Sequence, residues 1–99
     1  MELNKSCKEA FETAVARGSV QFAGSSDADI LNGLKHCAGE VIEANEAYNN
    51  WVTGTNGCKQ YFADELADIV ICVMTLSYAK EIDLEAAIQR KMAYNKNRG

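Results

Sequence analysis

Glu40 and Glu43 stand three residues apart, and so do Glu65 and Asp68, each pair within a segment of helical periodicity. Residues at that spacing leave one helix face with Cβ atoms about 5–6 Å apart, so each pair is a two-pronged oxygen donor. Four carboxylates arranged this way suit hard cations such as Mg²⁺, which takes one or two carboxylates per ion and fills its shell with water and phosphate oxygens. The second pair makes the stronger case. Its neighbours Leu66, Ile69, Val70, Ile71, Cys72, Val73, Met74 and Leu76 cover nearly the whole helix circumference, and a helix apolar all round is a buried one. An unpartnered carboxylate there is costly or becomes protonated. Glu40 and Glu43 alone read as well as part of a solvated acidic face, so the two pairs carry weight together.

Four helices must position these groups. Cys7, Ala10, Phe11, Ala14 and Val15 follow the pattern of an amphipathic helix over about 3–17, stopped by Gly18; it reads as scaffold. Ser26 and Asp29 form a capping-box-like start to a second helix from about Asp27 to Asn49, with an apolar stripe of Ile30, Leu34, Cys37, Val41 and Tyr48. Glu40 and Glu43 border that stripe, about 60° apart. Thr53, Gly54, Asn56 and Gly57 mark a loop over residues 50–59. A third helix then runs from about Gln60 to Lys80, and Asp83 caps a fourth through about Asn95. If the second and third helices pack antiparallel, the acidic pairs converge. Carboxylates about 4 Å apart repel by roughly 4 kcal/mol at an effective dielectric of about 20, and cations make such a patch stable.

The class is all-α: the chain has no proline, 47% hydrophobic residues, and glycines clustered outside the periodic segments. Residues 1–99 make one domain, a size that hides only about 60–70% of its unfolded surface. The third helix needs cover on more sides than three neighbours supply, so self-association is expected. The longest apolar run, Ile69 to Ala79, contains Thr75 and Ser77 and falls short of the roughly 20 residues that span a bilayer. The net charge is −4, and Arg90, Lys91, Lys96 and Arg98 crowd the last ten residues, leaving an acidic body. A polymeric nucleic acid fits that body poorly; a small polyphosphate bridged by metal fits better. Cys7, Cys37, Cys58 and Cys72 have no C-x-x-C spacing and follow no secretory leader, so they read as reduced thiols of a cytoplasmic protein. Zinc would want closely paired Cys or His ligands, and His36 is the only histidine.

On the fourth helix the stripe Leu84, Ala87, Ile88 continues as Lys91, Asn95 and Arg98, turning from apolar to cationic. Lys91 and Arg98 suit phosphates, Arg with a bidentate fork, and Asn95 offers a donor and an acceptor to a sugar or base. A basic helix end complementing its own dipole is the plainer reading of the same residues. Trp51 reads either as a base-stacking residue or as core closure. His36, one turn before Glu40, reads as a hydrogen-bonding histidine rather than a catalytic base.

The stretch Gly39-Glu40-Val41-Ile42-Glu43, followed by Asp64-Glu65-Leu66-Ala67-Asp68-Ile69 and Lys91-Met92-Ala93-Tyr94-Asn95-Lys96-Asn97-Arg98, resembles the MazG-like all-α NTP pyrophosphohydrolases over about residues 30–98. The resemblance implies a four-helix bundle that self-associates as a homodimer or as a tetramer made from two dimers. It implies Mg²⁺-dependent hydrolysis, with Mn²⁺ as a substitute, of a nucleoside triphosphate to the monophosphate and pyrophosphate. Glu40, Glu43, Glu65 and Asp68 would be the catalytic metal ligands, and Lys91, Asn95 and Arg98 would contact the nucleotide or its phosphates. Many members carry a further Glu just ahead of the first pair, where this chain has His36 and Cys37. Glu46, one turn beyond Glu43, reads as a surface salt-bridge residue. Two alternatives remain in view: a phosphoribosyl-ATP pyrophosphohydrolase, similar in size and acidic motif, and a non-catalytic helical dimerisation module. A di-iron carboxylate bundle is excluded, since it wants Glu-x-x-His pairs and no His follows any Glu by three.

Overall fold

The acidic pairs are carried by two long antiparallel helices. A computed structural model describes residues 2–18 and 26–98, which form α1 (Leu3–Ala16), α2 (Asp27–Thr53), α3 (Lys59–Ala79) and α4 (Leu84–Asn97), with no strand among the described residues. Local chemistry sets the ends. Ser26 Oγ accepts the Asp29 N–H at 3.1 Å and donates to Asp29 Oδ2 at 2.7 Å, a capping box whose carboxylate holds the cap's hydroxyl. Gly54 ends α2 in left-handed backbone at φ +70°, donating its N–H to the last-turn carbonyls. α2 therefore runs four residues past the predicted end at Asn49, and Trp51 lies on the helix rather than in a loop. Asp83 caps α4, accepting from Ala86 N–H at 3.0 Å and from Asn4 Nδ2 at 2.7 Å.

α3 is the central helix, with α1 packed on one part of it and α2 on another. α4 meets α1 instead: Glu85 Oε1 accepts the Leu3 N–H at 3.0 Å, and Asn4 Oδ1 accepts the Glu85 N–H at 3.2 Å. The α2–α3 register is pinned at three heights. Cys37 is disulfide-bonded to Cys72, Tyr48 packs on Phe62 with ring centroids 5.2 Å apart, and Lys80 Nζ lies 3.7 Å from Asp27 Oδ1. Positions ascend on α2 as they descend on α3. The hydroxyls that interrupt the apolar run of α3 are satisfied within the helix, Thr75 donating to Ile71 O and Ser77 to Val73 O, each at 2.9 Å.

Three expectations are corrected. First, α2 does not bury the stripe of large apolar residues: Leu34 and Val41 remain more than half exposed, while Gly33, Cys37, Glu40 and Ala44 take the covered face. The small residues on that line let the helices approach closely, which bulky side chains would prevent. Second, the surroundings of Glu65 and Asp68 are not buried, since Leu66, Val70 and Ile71 are all about half exposed (45%, 52% and 46%), the incomplete cover expected of three neighbouring helices. Third, two of the four thiols are paired, leaving Cys7 and Cys58 free.

Only Cys7, Ala44, Cys72 and Leu76 form a fully buried apolar core among the described residues. The accessible surface is 6978 Å², roughly a quarter more than the about 5,500 Å² of a compact protein of this mass. The radius of gyration, 15.3 Å, likewise exceeds the about 13 Å typical of 100 residues.

Two outcomes follow for the loops and caps. A Cβ at Gly57 would lie 2.8 Å from the Trp51 backbone nitrogen and 3.0 Å from the Asn50 carbonyl carbon, so Gly57→Ala is expected to lower stability by about 1–3 kcal/mol in urea unfolding. The N–H of Ala86 and the Asn4 amide hold the Asp83 carboxyl below its ordinary value of 3.8. The stabilisation from Asp83 is thus fully present above that value and is lost as pH falls through the lower native one. Wild type should exceed Asp83→Ala in urea midpoint at neutral pH, with the gap closing in strong acid.

Candidate metal centre

Glu40 sits on the covered line of α2, and Glu65 on the matching line of α3 formed by Phe62, Glu65, Ile69, Cys72 and Leu76. Both lines alternate steps of three and four residues, the spacing of a helix–helix seam. Glu43, one turn beyond Glu40, remains exposed at the margin. One carboxylate oxygen from each of Glu40, Glu43 and Glu65 lies within 4.8 Å of the other two. Glu40 Oε2 and Glu65 Oε2 are buried without a hydrogen-bond partner. Such atoms are rare in folded proteins because each forfeits its hydration.

The electrostatics follow from that crowding. Desolvation raises the Glu40 carboxyl above its ordinary range, helped by the charge of Glu43 and then of Asp68, and opposed by His36. Desolvation also raises Glu65, again with Glu43 and Asp68 adding to the effect. His36 Nε2 lies 3.1 Å from Glu40 Oε1, the hydrogen-bonding role expected of it. Asp68 stands outside the three-oxygen group but is close enough to act on both buried acids. Glu46 is exposed.

The donor set is all oxygen, which suits Mg²⁺ or Mn²⁺. Neighbouring oxygens about 2.1 Å from one octahedral ion lie about 3.0 Å apart, so each of these three carboxylates would move by about 1 Å to share a single cation. The residues present therefore fit a divalent ion, and its charge would satisfy both orphaned oxygens.

Glu40 and Asp68 also line a cleft of about 580 Å³ between α1, α2 and α3, together with His36, Cys72 and a polar face of α1. Ser6, Glu9 and Thr13 of that face, with Arg17 just past its end, reach the cleft. Their spacing of three, four and four residues was legible as a stripe, but nothing in it says which helix it meets.

The fourth-helix residues are not brought to the carboxylates within one chain. Lys91, Asn95 and Arg98 are exposed and none of them lines the cleft. Lys91 Nζ instead lies over the Tyr94 ring, 4.8 Å from its centroid. Trp51 packs in an aromatic group with Tyr48 and Phe62 at centroid distances of 5.9 and 6.1 Å and keeps 37% of its surface exposed.

Because Glu40 and Glu65 ionise less readily in the folded chain, the metal-free protein is most stable below their ordinary value of 4.5 and loses that increment as pH rises through the raised native values. In EDTA, the urea midpoint should therefore decline as pH rises above that ordinary value, and saturating Mg²⁺ should flatten the decline. Glu65→Gln removes one of the crowded charges and should raise the metal-free melting temperature while abolishing the upward shift caused by Mg²⁺. An Mg²⁺ shift of wild-type size in that variant would count against the centre. Compared with known proteins, the chain matches no family model, no curated protein and no solved structure.

Proposed function

We propose that the chain is a Mg²⁺-dependent nucleotide pyrophosphohydrolase, cleaving a nucleoside triphosphate to the monophosphate and pyrophosphate. The observation that carries the reading is the pair of orphaned buried oxygens on Glu40 and Glu65, set among carboxylates that repel one another. A surface acidic patch needs no such burial. A catalytic divalent centre does, because exclusion of water strengthens its hold on phosphate charge.

Glu40, Glu43 and Glu65 are the ligands best placed for a first ion, and Asp68, on the rim of the cleft, is placed for a bridging or second position. When bound, the ion would neutralise phosphate charge and supply an activated water. His36 orients Glu40 through the 3.1 Å contact. Arg17, on the far wall of the cleft, offers a phosphate oxygen two parallel donors.

The reading includes self-association. The apolar residues of α2 left in solvent, Leu31, Leu34, Val41, Tyr48 and Val52, keep helical spacing, as do Leu66, Val70 and Val73 on α3. Two α2–α3 hairpins meeting along these lines would make a four-helix bundle and remove the excess surface. In that assembly α4, held to its own chain through α1, is the element free to carry Lys91, Asn95 and Arg98 to a neighbouring copy's cleft. The same exposed lines favour the second reading, a non-catalytic dimerisation module.

A panel of NTPs and dNTPs, with phosphoribosyl-ATP as a further substrate, should release pyrophosphate with Mg²⁺ or Mn²⁺ and none in EDTA. Glu65→Gln and Asp68→Asn should each lose at least about a hundredfold in kcat. Equal mixing of Glu65→Gln with Arg98→Ala should restore roughly a quarter of wild-type turnover if the site is completed across a two-fold dimer. No release from any substrate, with a stable dimer in sedimentation, leaves the module reading.

A further inference from the structure

The chemistry above makes no use of the Cys37–Cys72 link, yet the link sits beside the carboxylates. Its Cα atoms are 5.9 Å apart, within the about 4.4–6.8 Å that a disulfide spans. Cys37 lies three residues before Glu40, and Cys72 lies four after Asp68 and seven after Glu65, so each sulfur shares a helix face with the acids of its own helix. Cys72 itself lines the cleft with Glu40 and Asp68. The two residues differ in cover: Cys72 is 4% exposed, whereas Cys37 is the less deeply covered of the pair.

We propose that Cys37 and Cys72 form a thiol–disulfide exchange site whose redox state sets the affinity of the neighbouring carboxylates for a divalent cation. The co-reactant is a low-molecular-weight disulfide of the glutathione class. This rests on the reading of Glu40, Glu43 and Glu65 as cation ligands, though not on the identity of the substrate.

Oxidation starts at Cys37, the less covered of the two. The Cys37 thiolate attacks one sulfur of the small disulfide, forming a mixed disulfide and expelling one thiolate. The Cys72 thiolate then attacks Cys37 Sγ, closing the internal link and expelling the second. One protein dithiol and one disulfide give one protein disulfide and two thiols, so atoms and electrons balance, and reduction is the reverse.

The coupling is mechanical. Without a cation, Glu40, Glu43 and Glu65 repel one another and push α2 from α3 at this height. A covalent tie one turn away opposes that relaxation and keeps the oxygens assembled, so the cation need not draw the helices together. Reduction releases the tie, and the ligand set spreads.

The test uses the full chain carrying Cys58→Ser, which removes the exposed thiol. The protein is equilibrated in glutathione buffers from fully reduced to fully oxidised, free thiols are alkylated and located by mass spectrometry, and Mg²⁺ affinity is measured by calorimetry at both ends. The expected result is loss of the Cys37 and Cys72 thiols together, with Mg²⁺ bound at least about fivefold more tightly in the oxidised protein. A further Cys37→Ser/Cys72→Ser variant should bind at the reduced-state affinity whatever the buffer. Failure of the link to form in any buffer, equal affinity in the two states, or no Mg²⁺ binding in either would overturn the proposal. Redox-dependent Mg²⁺ binding without pyrophosphate release removes the enzyme reading and leaves the switch. Pyrophosphate release indifferent to redox state does the opposite.

Discussion

Glu40 and Glu65 occupy positions on the α2–α3 seam where two helices of this amphipathicity would otherwise interlock apolar side chains, and each leaves one oxygen there without a partner. Everything near the seam responds to that placement. The residues around the acids on α2 are Gly33, Cys37 and Ala44, small enough for close helix approach. The register is held from outside the acids, by the disulfide on one side and the Tyr48–Trp51–Phe62 group on the other. Charge repulsion in the middle is tolerated because the anchors lie above and below it.

The cost of the arrangement is a thin core. Helix positions spent on carboxylates and small residues do not contribute the about 1.5–3 kcal/mol that burying a large apolar side chain gives. The large residues are present in the chain, on lines of α2 and α3 rotated away from the seam, and they are left in solvent. Surface area and radius of gyration both exceed what a compact chain of this size shows. The same excess makes sense of the detached fourth helix, whose cationic end is directed neither into the cleft nor into any core of its own chain.

The cleft beside the seam is a composite of three helices with different contributions. α2 and α3 bring Glu40, His36 and Asp68, whereas α1 brings Ser6, Glu9, Thr13 and Arg17. Carboxylates therefore stand on both walls, Glu9 beside Arg17 on one and Glu40 and Asp68 on the other. No helix lying among the described residues is long and apolar enough to cross a membrane.

The helices and most of their ends were legible in the sequence, because capping and periodicity are local, although α2 continues past its expected end at Asn49 to Thr53. Ser26 with Asp29, Gly18, Gly54 and Asp83 act within a turn of their own position, and the all-α class follows from them. The acidic pairs were legible for a similar reason, since a spacing of three residues fixes a shared helix face. Which face packs inward was not. The apolar moment of α2 pointed to Leu34 and Val41, but the partner helix chose the line where small residues allow close approach, and that choice exists only between two helices. The pairing of Cys37 with Cys72 and the entry of α1 into the cleft depend in the same way on distances between segments far apart in the chain. So does the separation of Lys91, Asn95 and Arg98 from the acids. The sequence by itself determined the chemistry available, and tertiary structure decided which of those groups meet, because only packing converts separation along the chain into separation in space.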